Sequence, residues 1–505
     1  MHKYHGENDQ LHSSFMNTKH HFCSCVLQNC QLICSMNLKR RSTPLSARLS
    51  LSLLAFMILS VAQAQTLSLR EAVDTAMARY GIIQAKGNYV KAGEERVIQS
   101  KREYLPNLNF SAQQVYGTVN GQNGPLYGFG GLGVASSGLP LPDQNWNAAF
   151  GALYLANINW EFFSFGRAKE RINVARKSLH VNETDLDQEK FQHRVRVAGA
   201  YLNLLVAQRL KRIQEKNLER AMIVKRTATA RAANGLLAGV DSSLANAEVS
   251  AARIALTNAD NLVREQANQL SVLTAMPTQD YALDTTFINK LPLALADSVG
   301  LQEQLHPILQ YYQSRIDLSN RQVILNRKQY YPTFSFFSVY QTRASGFSSN
   351  YAVDQSAFSH NYIDGIKPTR SNYLLGIGVQ WNMTTLLRTR PAIKAQEFTS
   401  KGLQEEYNQV KQQLDAQVSL ADVRIKNALS NYKEVPNQLK SASDAYLQKT
   451  TLYNNGLTNI VDVTQALYAL NRAETDRDVS YSNVWQALLL KAAATGNWDI
   501  FINEF

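Results

Sequence analysis

A chain of 505 residues, 45% of them hydrophobic, holds enough material for two to four ordinary domains with buried cores. Its net charge of +12 is a mild excess, with acids and bases interleaved in stretches such as QEKNLERAMIVKR, and no basic and aromatic residues cluster into a nucleic-acid groove. All four cysteines (Cys23, Cys25, Cys30, Cys34) and five of the nine histidines precede residue 36, and their spacing fits no familiar zinc pattern. The other histidines, His180, His193, His306 and His360, are scattered, with no paired nucleophile and no phosphate-binding glycine motif. Neither an enzyme nor a cofactor or metal protein is expected.

In chain order, Lys39, Arg40, Arg41 and Arg48 precede the apolar run Leu49 to Ala62, which ends in Ala62-Gln63-Ala64. That is the charge, length and cleavage pattern of a secretory signal peptide, too short for a permanent span. We expect translation from Met36, a signal over 36–64, an upstream extension over 1–35 absent from the mature protein, and a mature start at Gln65. No cysteine follows the cleavage site to take a lipid anchor.

Residues from about 67 to 103 read as helix. Alternation follows, with Leu108, Phe110 and Ala112 on one side and Asn109, Ser111 and Gln113 on the other. After a Gly-rich segment (117–140) it resumes, Tyr154, Ala156, Ile158, Trp160 and Phe162 facing away from Asn157, Asn159 and Glu161. A helix of about 100 Å is expected from Gly166 to about Ala232, which lack proline. After a turn at Asn234-Gly235, Val240, Leu244, Ala247, Ala251 and Ile254 step by 3 and 4, the spacing of a coiled-coil seam.

The order then recurs. Tyr331-Pro332 answers Leu105-Pro106; Phe334, Phe336 and Tyr340 form one strand face, and Tyr373, Leu375, Ile377, Val379 and Trp381 another. Ile460, Val463, Leu467 and Leu470 repeat the helical stripe. The turns Asn234-Gly235 and Asn455-Gly456, and the aspartates Asp241 and Asp462 behind them, are offset by the same 221 residues (455 − 234 and 462 − 241). Two fused copies are expected, 65–290 and 291–505. Strands of about 10 residues with one apolar, aromatic-ended face suit a membrane barrel, although a sandwich strand shows the same alternation. Four strands cannot close, so identical copies must complete the sheet.

Signal peptide, helix, strand pair, long helix, Gly turn and returning helix, performed twice, resemble the TolC-like outer-membrane efflux protein family over about residues 66–498. LSLREAVDTAMARY, LPNL, NWEFFSFGR and the two Gly turns followed by Val-Asp carry the resemblance. It departs from the family at Tyr80-Gly81, His306-Pro307, and at Leu387 to Pro391, which leaves the helix starts open. The resemblance implies a mixed α and β membrane protein: a homotrimer with a twelve-stranded transmembrane barrel, four strands per chain, continued by a coiled-coil helical barrel through the periplasm. It implies an exit duct in the outer membrane for tripartite efflux or type I secretion, with an adaptor protein, an inner-membrane transporter and outer-membrane lipid as partners and no nucleic acid. A secreted coiled-coil structural or adhesive protein is the alternative.

By the same resemblance the hairpin tips Asn234, Gly235, Leu236, Leu237, Asn455, Gly456, Leu457 and Thr458 dock the adaptor, both residues of each Asn-Gly being able to take a positive φ. Asp462 lines the closed aperture with Gln465 one turn on, or else simply stabilises its helix N-terminus. Tyr453 and Asp241 form a closed-state latch through a phenol–carboxylate hydrogen bond. Thr458 stands where relatives carry an arginine clamp.

Overall fold

The computed structural model describes residues 66–121, 140–234, 239–292 and 306–505; the signal segment and the upstream extension lie outside them. The first helical stretch is two helices, α1 (Leu69–Arg79) and α2 (Gly81–Arg102), not the single one expected from 67 to 103. Tyr80 breaks them with extended backbone (φ −66°, ψ 118°) and stacks on the buried His193 at 3.8 Å between ring centroids. That partner lies more than a hundred residues away, so local helix propensity does not reveal the break.

The strands are β1 (Asn107–Thr118), β2 (Ala148–Phe163), β3 (Thr333–Ser345) and β4 (Arg370–Gln380), one antiparallel sheet in the order β1-β2-β3-β4. Register decides which residues share a face, because side chains alternate across a strand. Phe110 lies opposite Ala156, Ala156 opposite Tyr340 and Tyr340 opposite Tyr373. The next row toward the helices is Leu108, Ile158, Ser338 and Leu375, and beyond it Trp160, Phe336 and Ile377. One apolar, aromatic-rich face thus crosses all four strands, built from the alternating positions of the sequence. The indoles Trp160 and Trp381 end it, each donating to a backbone carbonyl, Tyr104 O at 2.9 Å and Tyr330 O at 3.1 Å.

The opposite face carries Asn109, Asn157, Ser111 and Gln341. There Gly376 makes room for the Phe337 ring, since a Cβ would come within 2.4 Å of Phe337 Cζ. The connection between β3 and β4 includes a short helix, α6 (Tyr362–Ile366), that lies back on the sheet, with Ile366 O accepting from the Tyr154 hydroxyl.

Two long hairpins descend from the sheet. α3 (Arg167–Ala233) has 67 residues, about 100 Å at 1.5 Å per residue, and returns as α4 (Gly239–Thr274). α7 (Thr385–Asn454) has 70 residues and returns as α8 (Ile460–Thr495). α5 (Pro307–Arg327) precedes β3, and α9 (Asp499–Ile502) follows α8. The uncertain helix starts resolve differently. α3 begins at Arg167 behind a left-handed Gly166 (φ 84°), whereas α7 begins at Thr385 and runs on through Pro391 and Pro436. Among the described residues no helix is long and apolar enough to cross a membrane.

In the single chain the expected seam on α4 faces outward, away from α3: Val240 is 74% and Ile254 63% exposed, while Ala245, Glu248, Val249 and Ala252 face inward. Alanines and valines satisfy a 3,4 spacing on both faces of α4, so the period is right and the phase is set by contact with α3. On α8 the stripe Ile460, Val463, Leu467 and Leu470 is buried as expected. The largest core joins α1, the middle of α3, the end of α4 and the end of α8 through Leu69, Tyr201, Leu204, Leu270 and Trp485.

His306 caps α5 within this region. Its Nδ1 accepts from Ile308 N at 3.2 Å, which leaves Nε2–H to donate to Ala493 O at 3.2 Å. Burial pushes its pKa below the ordinary histidine value, against the smaller upward pull of the Ala493 carbonyl. A depressed folded-state pKa means that the unfolded chain takes up the proton first. The stabilisation is therefore present above about pH 6.5 and is lost as pH falls below it. Thermal unfolding in detergent should shift to lower temperature between pH 7.5 and 5. His306→Asn, which keeps a cap acceptor without titrating, should narrow that shift; an identical shift in both proteins would remove His306 from the explanation.

Candidate functional site at the hairpin tips

At the end of each long helix the last backbone carbonyls lack helical partners. The α7 end is closed by Gly456 at φ 77°, with Gly456 N donating to Tyr453 O at 3.0 Å and Leu457 N to Leu452 O at 2.9 Å. Those two bonds with a left-handed glycine define a Schellman stop, which a side chain at that φ would strain. Asn455 and Asn234 do not take the positive φ expected of them; they cap their helices at φ −94° and −86°. Asn459 starts α8, its side chain accepting from Asp462 N at 3.0 Å.

The two tips are tied together by Arg231, near the end of α3. Its guanidinium donates to Tyr453 O and, at 3.1 Å, to Asn454 O, and it lies 5.4 Å from the centroid of the Tyr453 ring. A cation thereby serves terminal carbonyls of a neighbouring helix, Tyr453 O in addition to its bond from Gly456 N, where the dipole favours positive charge. Tyr453 is 1% exposed and packs with Val224, Ala228, Ala245, Ile460 and Val463, side chains from all four helices.

The Tyr453–Asp241 hydrogen bond is not made in the single chain: the Tyr453 hydroxyl is buried without a hydrogen-bond partner among the described residues. Burial, and then the nearby negative charge of Asp241, raise its pKa, with Arg231 opposing. Proximity to Asp241 is therefore electrostatic, and among the described residues the polar link between the tips is Arg231. Sequence reasoning missed Arg231 because a lone basic residue in a last helical turn ordinarily reads as a dipole effect within its own helix.

Asp462 occupies the first turn of α8, where its Oδ2 accepts from Lys449 Nζ at 2.8 Å and from Thr458 Oγ1 at 2.6 Å. These two bonds hold its pKa below the usual carboxylate range. Its charge is balanced within the hairpin, so Asp462 is not a bare carboxylate in the single chain. Gln465 is exposed one turn on. Leu457 is 72% exposed and Asn234, Asn455 and Gly456 are exposed, whereas Thr458 is half-buried against Asp462. Gly235, Leu236 and Leu237 lie outside the described residues.

Above the tips, two further links join the hairpins. Tyr468 on α8 donates to Glu248 on α4 at 2.6 Å, and the hydrogen-bonded carboxylate raises the phenol to about 12. Arg220 on α3 grips Glu474 on α8 through two bonds of 2.8 and 2.7 Å, a bidentate geometry that orients both side chains. A carboxylate set in an otherwise apolar stripe, as Glu248 is between Ala245 and Ala252, is the sequence signal that marks such a link.

Long paired helical hairpins rooted in a small sheet with one apolar face define the architecture of outer-membrane channels. The family model described as outer membrane efflux protein matches residues 72–275 and 300–481, and the chain belongs to that family. No curated protein matches it. Among solved structures it is similar to the outer membrane protein VceC of Vibrio cholerae, at 16% identity over 85% of this chain and 96% of that one, with a TM-score of 0.66. It is also similar to the CmeC outer membrane channel of Campylobacter jejuni (12% identity, 85% and 86% covered, TM-score 0.67). The open state of the MtrE outer membrane channel of Neisseria gonorrhoeae is a third (13%, 85% and 88%, TM-score 0.65). At these identities the likeness establishes the fold: helix-rich, with a small antiparallel sheet.

Proposed function

We propose that the chain is one third of a homotrimeric exit duct, its sheet forming a third of a twelve-stranded barrel in the outer membrane and its hairpins a third of a helical tunnel in the periplasm. The observation that carries this reading is the unfinished sheet. Among the described residues β1 and β4 each have one strand partner, yet the face they share with β2 and β3 is apolar from Leu108 to Ile377. In hydrocarbon each unpaired backbone group costs several kcal/mol, about what a hydrogen bond in an apolar medium is worth, so the edges demand further strands. The exposed stripe of Val240, Leu244 and Ile254 on α4 supports the same assembly, because a neighbouring copy would cover it. Two fused copies, 65–290 and 291–505, account for the matched lengths of α3 with α7 and α4 with α8.

In this reading the tips close the periplasmic end. Asp462 and Gln465 line the aperture, Asp241 and Tyr453 belong to the contact between tips, and Asn234, Gly235, Leu236, Leu237, Asn455, Gly456, Leu457 and Thr458 receive an adaptor protein coupled to an inner-membrane transporter. The exposed Leu457 beside the Gly456 stop is the side chain that most needs such a cover. Cargo leaves by tripartite efflux or type I secretion. A secreted coiled-coil fibre would account for the hairpins and leave the apolar sheet face without purpose.

The deciding experiment is mass determination of the full-length protein in detergent, followed by conductance in a planar lipid bilayer. Trimers that form pores are expected. A water-soluble monomer without pore activity would overturn the proposal.

A further inference from the structure

We infer that the extracellular mouth of the barrel is an anion site, built from the paired guanidiniums of Arg343 and Arg370; the inference rests on the trimeric-barrel reading above. Charge is scarce on this sheet. Over all four strands the ionisable residues other than tyrosine are Glu161, Arg343 and Arg370. Glu161 stands at the helix end of β2 and is matched by Arg167 at 2.9 Å. The two arginines stand at the other end, directly opposite each other in the β3–β4 register, and both are exposed. Neither guanidinium has an ion-pair or hydrogen-bond partner among the described residues.

Two like charges facing each other across an antiparallel pair repel, and a fold normally avoids that pairing or neutralises it. Glu161 cannot neutralise them. It lies eight residues along β2 from Leu153, the residue opposite Arg343, or about 26 Å at strand spacing, well beyond the roughly 8 Å screening length of physiological salt.

The arginine row is Gln113, Leu153, Arg343 and Arg370, on the face that also carries Asn109, Asn157 and Gln341. That face is opposite the apolar one, so closing the barrel with its apolar face to lipid turns the arginines into the lumen. The helix α6 and its Asp364 lie over the other face, where Gly365 abuts Phe150 and Asp364 accepts from Ser359. Of the remaining mouth acids, Asp354 is bonded to Ser356 and Asp143 is in the loop before β2, and the Gly-rich segment 117–140 has no charged residue. Three chains would therefore place six arginines around the inner wall at the exit. Rings of arginine select anions in pores, and a planar guanidinium pair matches a phosphate, sulfonate or carboxylate oxygen fork. The occupant is a small multivalent anion in the lumen, which makes anionic cargo the class this exit favours.

The test uses the full-length trimer in detergent and inositol hexakisphosphate as probe, titrated calorimetrically at low salt. Saturable binding is expected, weakened roughly tenfold or more in the Arg343→Gln, Arg370→Gln double variant and only partly weakened when both are lysine, which keeps the charge but not the fork. In bilayers the same glutamine variant should shift the reversal potential under a KCl gradient toward cations. Unchanged probe binding and unchanged selectivity in an intact glutamine trimer would overturn the inference alone. Loss of co-purifying lipopolysaccharide with unchanged probe binding would also overturn it, by placing the arginines on the lipid side. Failure to find a trimeric pore at all would be visible before any titration and would remove the underlying reading with it.

Discussion

Replacing Arg231 with alanine should raise the conductance of the reconstituted trimer several-fold, while Tyr453→Phe should leave it unchanged. Arg231 donates two charge-assisted hydrogen bonds to carbonyls of Tyr453 and Asn454 and covers the Tyr453 ring. Hydrogen bonds to charged groups contribute ~1.5–3 kcal/mol each, less where water competes. A net loss of about 2 kcal/mol per chain changes a closed-to-open ratio by roughly thirtyfold. Among the described residues the tips themselves are joined by a small apolar cluster and this arginine, so losing the arginine shifts the balance there. Arg231→Lys keeps the charge but not the fork, and should fall between wild type and alanine. The phenol, by contrast, makes no hydrogen bond among the described residues, and deleting its oxygen removes an unpartnered buried polar atom. Single-channel recording in planar bilayers separates the cases. An opened Tyr453→Phe channel beside a silent Arg231→Ala would restore the phenol–carboxylate latch and dismiss the arginine.

What could be read without coordinates follows a physical divide. The strand faces were legible because period-two alternation is imposed by each strand's own two environments, and Leu108, Tyr154, Phe336 and Leu375 obey it within single segments. The turn at Gly456 was legible because glycine alone takes that φ cheaply. Features set by a distant partner were not. The break at Tyr80 depends on His193, the phase of α4 depends on α3, and the role of Arg231 depends on the end of α7 lying beside it. Each is a tertiary choice among locally equivalent options, which composition leaves open. The same holds for Asp462: its position in the first turn was evident, but its pairing with Lys449 needed the hairpin to close.

Two neighbouring leucines offer the sharpest test of the barrel. Leu375→Arg should abolish detergent-resistant trimers in the outer membrane fraction, and Leu374→Arg should leave them abundant. Both leucines lie in β4, both are about equally exposed in one chain (61% and 58%), and the chemical change is the same. Only the face differs. Leu375 stands opposite Ser338 in the row that includes Leu108 and Ile158, whereas Leu374 stands opposite Val339, on the face of Asn109 and Asn157. Arginine on the lipid face near the bilayer midplane costs ~2–4 kcal/mol, and a trimer carries three copies, so the total of about 6–12 kcal/mol rivals the stability of a whole domain. On the lumen face the guanidinium stays in water and costs little. Electrophoresis of unheated outer-membrane samples reads the outcome directly. Equal loss in both variants would mean that neither face meets lipid in the assumed way; the reverse pattern would turn the sheet inside out, and with it the arginine pair at the mouth.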